Sequence, residues 1–203
     1  KKKKPGLIMK TGGAGFSILD REDILNKING IKQSVNGELP NIYFLHGDLT
    51  DEEVNALYNH PKVKSHVSFT HGEGFGRPLL EACISGKPII ASAWSGHLDF
   101  LNKDYNFLVG GSIQEVHESV QGKWIIKGSR WFKIDHQQAS GVLKTIFKNY
   151  KKALEMSRKN RHYVKSNFTK QHMTDTLGEL LSKHKVGEGP TQVGLKLPKL
   201  KKK

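Results

Sequence analysis

The most informative segment of the chain reads HGEGFGRPLLEACISG over residues 71–86. Three of its first six residues are glycines, which allow a tight loop, and the apolar run after Pro78 predicts a helix that Gly86 ends. Residues 63–69 alternate loosely between apolar and polar and predict a strand before the loop. The segment therefore predicts a strand, a glycine-rich loop and a helix whose first N–H groups attract an anion such as phosphate.

Apolar runs of strand length recur on both sides of this unit. Their positions are residues 7–9, 41–45, 88–91 and 106–109. Helix-compatible stretches separate the runs: Asp20 is predicted to cap the first helix, and Thr50 and Glu53 have capping-box spacing at the second. Neighbouring parallel strands need crossover connections, so the pattern predicts an α/β fold, a Rossmann-like parallel sheet flanked by helices.

The C-terminal part is predicted to be helical after an irregular segment at residues 112–135. Apolar residues from Val142 to Leu154 recur at the spacing of one amphipathic helix, and a last helix is predicted after Thr169. We expect four parts: a basic N-terminal end at 1–5, a Rossmann-like domain at 6–135, C-terminal helices packing on it at 136–185, and a flexible basic tail at 186–203.

The net charge of +14 is concentrated at the two ends of the chain. Residues 1–4 and 186–203 each contribute +4, which leaves +6 for the remaining residues. Lysine-rich ends attract polyanions and anionic membrane surfaces by salt-sensitive attraction rather than by recognition. They therefore predict a weak attraction of this kind, and nucleic-acid recognition is the weaker alternative because no aromatic residues are interleaved with the lysines.

The cysteine content and the hydropathy limit the cellular compartments in which we expect the protein. Cys83 is the only cysteine, so no internal disulfide and no cysteine-based zinc site is predicted. No apolar run approaches the roughly 20 residues of a transmembrane helix, and no apolar signal core follows the N-terminal lysines. We expect a cytoplasmic protein. Its lysine-rich ends would also allow it to bind the surface of a membrane. Its first residue is Lys rather than Met, which we interpret as the loss of an N-terminal segment.

The glycine-rich loop is the first candidate site, because ligands of parallel sheets bind beyond the carboxyl ends of the strands. Glu73 lies in this loop and Glu81 lies eight residues later in the helix, so both carboxylates are candidates to contact one bound molecule. The alternative is that the glycines only form a turn and that Glu81 only interacts with the helix dipole.

Several rings adjoin the candidate loops. His71 and His97 either contact a ligand or orient the backbone, and we predict the second role. Trp94, Trp124 and Trp131 either stack on a sugar or base or anchor the core, and we predict a core role for Trp131. No pair of histidines has metal-ligand spacing beside a carboxylate, so no metal site is predicted.

The motif extends well beyond its glycines. Residues 73–82, EGFGRPLLEA, together with residues 86–92, GKPIIAS, resemble the signature of family-4 retaining glycosyltransferases with the GT-B fold. Residues 94–99, WSGHLD, are similar to the next loop of that family, with Asp99 in the acidic position. The resemblance covers about residues 6–184 and is strongest between 64 and 101.

The resemblance implies the C-terminal, donor-binding half of a GT-B enzyme. Such an enzyme transfers a hexosyl group from a UDP-, GDP- or ADP-linked sugar to an acceptor with retention of configuration, without a cofactor or an obligatory metal. The acceptor is unknown. Its binding domain is expected on a missing N-terminal segment or on another chain.

The resemblance also assigns roles to residues. Glu73 would contact the donor sugar as a catalytic residue, and Glu81 would bind the ribose. The remaining donor-binding residues would be His71, Gly72, Gly74, Phe75, Gly76, Gly12, Gly13, Ser95 and Gly96. Oriented amides and a nearby cation would stabilise the leaving diphosphate.

One part of the family pattern is incomplete. Relatives usually place a basic residue at the end of the first strand and a lysine several residues later, both facing the diphosphate. Lys10 occupies the first position as a candidate catalytic cation, Phe16 and Ser17 occupy the second, and Arg21 is a substitute candidate. The alternatives are a non-catalytic nucleotide-sugar-binding or polyanion-binding module and a nucleotide-sugar epimerase of related architecture.

Overall fold

The computed structural model describes residues 4–11, 17–122 and 125–184. The chain forms two compact units, Lys1–Leu57 and Tyr58–Lys203. In the part of the chain that the structure describes, no helix has both the length and the apolar character needed to cross a bilayer.

The first unit contains the beginning of the strand–helix alternation. Its elements are β1 Leu7–Lys10, α1 Ile18–Ser34, β2 Ile42–Leu45 and the start of α2 Asp51–Asn59. β1 and β2 pair in parallel from Leu7 opposite Ile42 to Lys10 opposite Leu45. The long helix α1 provides the crossover that parallel neighbours need.

The helix starts of this unit confirm one predicted cap and correct another. Thr50 and Glu53 form the capping box: the Thr50 N–H donates to the Glu53 carboxylate at 2.8 Å, and the Glu53 N–H donates to the Thr50 hydroxyl at 3.3 Å. The prediction of Asp20 as the cap of α1 was wrong. Ser17 has the extended backbone of an N-cap and accepts from the Asp20 N–H at 3.1 Å, while Asp20 pairs with His46 at 2.7 Å.

The second unit contains the remaining elements. They are β3 His66–Ser68, α3 Arg77–Ile84, β4 Ile89–Ser92, β5 Phe107–Val109, β6 Gly111–Glu115, β7 Arg130–Ile134, α4 His136–Lys148, α5 Tyr150–Asn167 and α6 Lys170–Lys183. β3, β4 and β5 form a parallel sheet in that order.

The two faces of the central strand β4 are both covered. Ile89 and Ala91 pack with residues of α3 and α5 such as Cys83 and Val164, whereas Ile90 packs with residues of α4 and α5. Successive strand residues point to opposite faces, so an entirely apolar strand requires cover on both sides. The predicted α/β fold with a parallel sheet flanked by helices is therefore confirmed, with the parallel strands paired in two ladders, β1–β2 and β3–β4–β5.

The prediction of an irregular segment at 112–135 was wrong at both of its ends. β6 and β7 form an antiparallel ladder from Gly111 opposite Ile134 to Glu115 opposite Arg130. A Cβ on Gly111 would lie 2.0 Å from the Lys133 carbonyl oxygen, so the close approach of the strands requires a glycine. The long connection between the strands hides the pairing from any local pattern.

The C-terminal helices also differ from the prediction. The single helix expected from Val142 to Leu154 is two helices, because Asn149 leaves the helical conformation at φ −121° and ψ 40° between α4 and α5. The helix predicted after Thr169 is confirmed as α6, and the Thr169 hydroxyl accepts from the His172 N–H at 3.0 Å. All side chains of α6 are exposed.

Candidate functional site

The glycine-rich loop joins the carboxyl end of β3 to the start of α3. Gly76 is the N-cap of α3 and has left-handed backbone angles, φ 85° and ψ 44°. A Cβ at this position would also lie 2.9 Å from the Cβ of His97. Glycine is therefore required twice, once by the backbone conformation and once by packing. Pro78 has no N–H, and the N–H groups of Leu79 and Leu80 both bond to the Gly76 carbonyl oxygen at 2.9 and 3.1 Å. The helix start therefore offers an anion the Arg77 N–H rather than the full set of free groups that the sequence predicts.

A second loop holds the backbone of Glu73. The Ser95 hydroxyl accepts from the Glu73 N–H at 2.8 Å and donates to the Glu73 carbonyl oxygen, which also accepts from the Gly96 N–H at 3.0 Å. Both hydrogen-bonding groups of the Glu73 backbone are thus fixed by residues 95 and 96. Ser95 and Gly96 were predicted to contact the donor; what the structure shows is that they position Glu73.

The two loops meet backbone against backbone. A Cβ on Gly96 would lie 2.0 Å from the Gly74 carbonyl oxygen, so any side chain there would separate the loops. Gly72 and Gly74 themselves have open space or ordinary contacts around a Cβ position. Of the predicted site glycines that the structure describes, Gly76 and Gly96 are therefore the two that packing requires.

Glu81 lies on the exposed side of α3. Its carboxylate pairs with Arg77 one turn earlier, with 3.2 Å between Arg77 Nε and Glu81 Oε1, and both side chains are exposed. Tyr58 is close enough to be affected: burial raises the pKa of Tyr58, the Glu81 carboxylate raises it further, and Arg77 lowers it. Glu81 therefore has an exposed carboxylate that a ligand can reach, and Arg77 is its ion-pair partner.

His71 is held by the β6–β7 hairpin. Its Nδ1–H donates to the Phe132 carbonyl oxygen at 2.6 Å, the Phe132 N–H donates to the His71 carbonyl oxygen at 3.2 Å, and the imidazole stacks on Trp131 with centroids 4.0 Å apart. His71 and Trp131 line a cavity of about 500 Å³. Trp131 is half-buried and belongs to neither of the two clusters of core residues, so the prediction that it anchors the core was wrong.

His97 is a buried residue that packs beside Gly76 of the glycine-rich loop. It is fully buried, and its Nε2–H donates to the Ser92 carbonyl oxygen at 2.7 Å. Its Nδ1 and the Thr70 hydroxyl are buried without a hydrogen-bond partner among the described residues. The structure thus gives His97 the backbone-orienting role.

Aromatic contacts fix the tip of the glycine-rich loop. Phe75 contacts Phe100 at a centroid distance of 5.3 Å and Phe168 at 6.4 Å. Trp94, which is 45% exposed, stacks on Phe132 at 5.8 Å, and Trp124 lies outside the described residues. Phe75 therefore has a packing role in addition to its predicted place in the donor site.

The remaining predicted residues lie in the first unit. Lys10 ends β1, and its ammonium donates to the Gly47 carbonyl oxygen at 2.6 Å. Gly12, Gly13 and Phe16 lie outside the described residues. Within residues 4–11, 17–122 and 125–184, no group of three or more His, Cys, Asp or Glu side chains is placed to hold a metal ion.

Several solved structures have the same fold. The chain matches Anabaena HepE in complex with UDP and glucose at 14% identity and a TM-score of 0.60, over 88% of this chain and 40% of that one. It matches HepE in complex with UDP-glucose at 16% identity and a TM-score of 0.59, over 88% and 41%. The sucrose-phosphate synthase of Thermosynechococcus elongatus matches at 20% identity and a TM-score of 0.59, over 89% and 38%.

These matches and the loop geometry define the class of the fold. The chain has the Rossmann-like α/β fold of the C-terminal domain of GT-B glycosyltransferases, and it spans about 40% of the length of these solved proteins. Residues 26–122 match the family model described as glycosyl transferases group 1, and this range contains the glycine-rich loop, Glu81 and Ser95. No curated protein sequence matches the chain.

Proposed function

We propose that the chain is the donor-binding domain of a retaining glycosyltransferase that transfers a hexosyl group from a nucleotide sugar. The observation that carries this proposal is the junction of the two loops, in which Ser95 and Gly96 fix the Glu73 backbone beside the start of α3. A loop fixed in this way beside the Arg77 N–H and the positive end of α3 can stabilise a leaving diphosphate without an obligatory metal.

The proposed roles follow from the positions of the carboxylates. Glu73 contacts the donor sugar from the fixed loop, and Glu81 accepts hydrogen bonds from the ribose hydroxyls after exchanging its Arg77 partner for the ligand. Arg77 is then free to approach the phosphates. UDP-linked sugars are the first donors to test, because the HepE structures contain UDP and UDP-glucose.

The proposal also states where the acceptor binds and in which compartment the reaction takes place. The acceptor binds to a second domain, which lies elsewhere in the whole protein or on a partner chain. We place the reaction in the cytoplasm, because the only cysteine, Cys83, is buried and unpaired, and free thiols are typical of a reducing compartment.

A non-catalytic nucleotide-sugar-binding module is the second candidate. The observation that favours it is the start of α1, where Ser17 caps the helix at the position that a lysine would need for the second cation of the phosphate clamp. A module of this kind binds the donor and its free nucleotide, but it neither transfers nor hydrolyses the sugar when the acceptor domain is supplied.

Calorimetric titration with UDP, GDP, ADP and their glucose conjugates tests donor binding. We expect saturable binding of one nucleotide family, weakened at least about tenfold in Glu81→Ala because charge-assisted hydrogen bonds are removed. Glu179→Ala, which removes an exposed helical carboxylate of α6, is the matched control and should bind like the wild type. Absence of saturable binding, or an equal loss in both variants, would contradict the donor-site proposal.

A further inference from the structure

An open groove of about 640 Å³ lies along one face of α5. None of its lining residues belongs to the glycine-rich loop or to the loop of Ser95. Two rows of α5 side chains at i, i+4 spacing line it: Arg158, His162 and Ser166 form one row, and Lys159, Tyr163 and Asn167 form the other. Side chains at this spacing lie one above the other, so the groove has a defined direction along the helix.

The N-terminal end of the groove is cationic. Arg158, Lys159 and the imidazole of His162 lie there, and no carboxylate lines the groove. Among the described residues, none of these three side chains takes part in a salt bridge, and Glu155 is the only acidic residue of α5. The Arg158 Cγ lies near Gly86, 3.7 Å from the position that a Cβ would take there, and the side chain is exposed. Glu155 lies one turn before Arg158 and Lys159 but forms an ion pair with neither, so three basic side chains face one carboxylate and this end has a net positive potential.

The other end of the groove is neutral and aromatic. Tyr163 packs edge-on against Phe168 with centroids 6.0 Å apart, and Tyr105 adds a second ring from the turn whose N–H groups bond to the Asn102 carbonyl oxygen. The Asn167 amide nitrogen donates to the Tyr163 carbonyl oxygen at 2.8 Å, so its amide oxygen remains as an acceptor. Rings beside a hydroxyl and an amide suit a ligand with an apolar face and hydroxyl groups.

We propose that this groove is a binding site for an anionic saccharide. Its phosphate or carboxylate group binds Arg158, Lys159 and His162, and its sugar ring lies against Tyr163 and Tyr105 with hydroxyls at Ser166 and Asn167. The two ends are separated by one helical turn, about 5.4 Å, which suits a single sugar ring carrying one charged group. Arginine and lysine together favour such a ligand, because both bind phosphate strongly.

The groove and the proposed donor site share no lining residue, so ligand binding to each can be measured separately with a different ligand. Isotope-labelled full chain is titrated with glucose 6-phosphate, glucose and inorganic phosphate, and binding is followed by the chemical shifts of the backbone amides. The titrations are repeated with UDP in excess, which occupies a donor site if one exists. Binding in the groove should be the same with and without UDP, and it is expected even if UDP does not bind.

A matched pair of double variants separates the groove from general charge attraction. Arg158→Gln/Lys159→Gln neutralises two groove cations and keeps much of their aliphatic stems, whereas Lys151→Gln/Lys152→Gln removes the same charge from exposed α5 positions outside the groove. We expect glucose 6-phosphate to bind at least about tenfold more weakly to the first variant and within about twofold of wild type to the second. Circular dichroism establishes that both variants are folded.

The ligand series tests the two ends of the groove separately. We expect glucose 6-phosphate to bind at least about tenfold more tightly than either glucose or inorganic phosphate, because only this ligand uses both ends. Equal binding of glucose would show that the cations are not used, and equal binding of phosphate would show that the rings are not used. Either result, the absence of saturable glucose 6-phosphate binding, or equal losses in the two double variants would overturn the proposal.

Discussion

Ser95 has a backbone conformation that residues other than glycine rarely adopt. Its angles are φ 86° and ψ −171°, and it is the one non-glycine residue with positive φ among the described residues. Such a conformation costs on the order of 1–3 kcal/mol and persists only where surrounding contacts hold it. Here the contacts are the two hydrogen bonds between the Ser95 hydroxyl and the Glu73 backbone. The hydroxyl of Ser95, rather than the backbone preference of serine, therefore accounts for this conformation.

Two substitutions of Ser95 separate these effects. Both Ser95→Ala and Ser95→Gly remove the hydroxyl and its hydrogen bonds, but only glycine relieves the positive φ. We expect the alanine variant to be less stable than the glycine variant by about 1 kcal/mol, measured by urea denaturation. Under the proposed function, both variants lose donor affinity, because the Glu73 backbone is released in each.

The same two variants can contradict this explanation of Ser95. If alanine is as stable as glycine at this position, the positive φ costs nothing and the strain at Ser95 is absent. If donor affinity is unchanged in both variants, the hydrogen bonds between Ser95 and Glu73 do not position the loop for ligand binding.

At the level of elements, packing around β3 lowers the pKa of His66. His66 lies in β3, its ring is edge-on to Tyr58 at 4.9 Å, and its Nε2 is 3.4 Å from the Ser85 hydroxyl. Burial and the nearby Lys87 ammonium lower the pKa of His66 to about 4. The Lys87 ammonium is fixed by the carbonyl oxygens of Tyr58 and His60 at 2.6 and 2.7 Å. The imidazole is therefore neutral in the folded chain.

This lowered pKa predicts a loss of stability in acid. An unfolded histidine has a pKa of about 6.5, so below that value the unfolded chain binds a proton that the folded chain does not. Stability attributable to His66 is present above pH 6.5 and falls as the pH drops toward 4, by about 2 kcal/mol at pH 5. We expect urea denaturation at pH 7 and pH 5 to show a smaller pH dependence in His66→Gln than in the wild type.

The control is a histidine without such surroundings. His172→Gln changes an exposed residue of α6 and should keep the pH dependence of the wild type. The same pH dependence in His66→Gln and wild type would mean that His66 is protonated in the folded chain without cost, contrary to its packing in β3.

Local patterns predicted the elements of this chain unevenly. The capping box of α2, the helix after Pro78 and the strand β4 follow from spacings of a few residues, and all three were predicted. The β6–β7 ladder was missed, because Gly111 and Ile134 pair across an intervening stretch that has no strand pattern. The break at Asn149 was missed for a different reason: the apolar spacing of α4 continues into α5, so periodicity alone does not show the end of a helix.

At the scale of the whole molecule, charge is distributed unevenly along the chain. Residues 1–4 and 186–203 carry +8 of the net +14. Charge of this kind acts over a Debye length of about 8–10 Å at physiological salt and does not depend on a shaped site. We therefore expect an attraction to polyanions that is distinct from binding in the groove along α5, whose cations lie on that helix and whose rings are Tyr163 and Tyr105.

Removal of the two lysine-rich ends tests this attraction. We expect duplex DNA of arbitrary sequence to bind the full chain weakly, with an affinity that falls steeply between about 50 and 200 mM salt. Deletion of residues 1–4 and 186–203 should reduce the dependence of log affinity on log salt by several units, at about 0.9 for each phosphate that the deleted lysines neutralise. Fluorescence anisotropy measures both. An unchanged salt dependence after deletion, or a strong preference for one DNA sequence, would contradict the interpretation.

The sequence by itself determined the α/β class, the glycine-rich loop before α3, and the residues that resemble a donor site. These follow from periodicity, capping residues and a continuous motif, which act between neighbours along the chain. Only the tertiary structure decided that Ser95 holds Glu73, that the Phe132 backbone and Trp131 hold His71, and that His66 stays neutral. Each of these depends on atoms that are far apart in sequence and are brought within hydrogen-bonding distance or enclosed by packing, so no local pattern contains them.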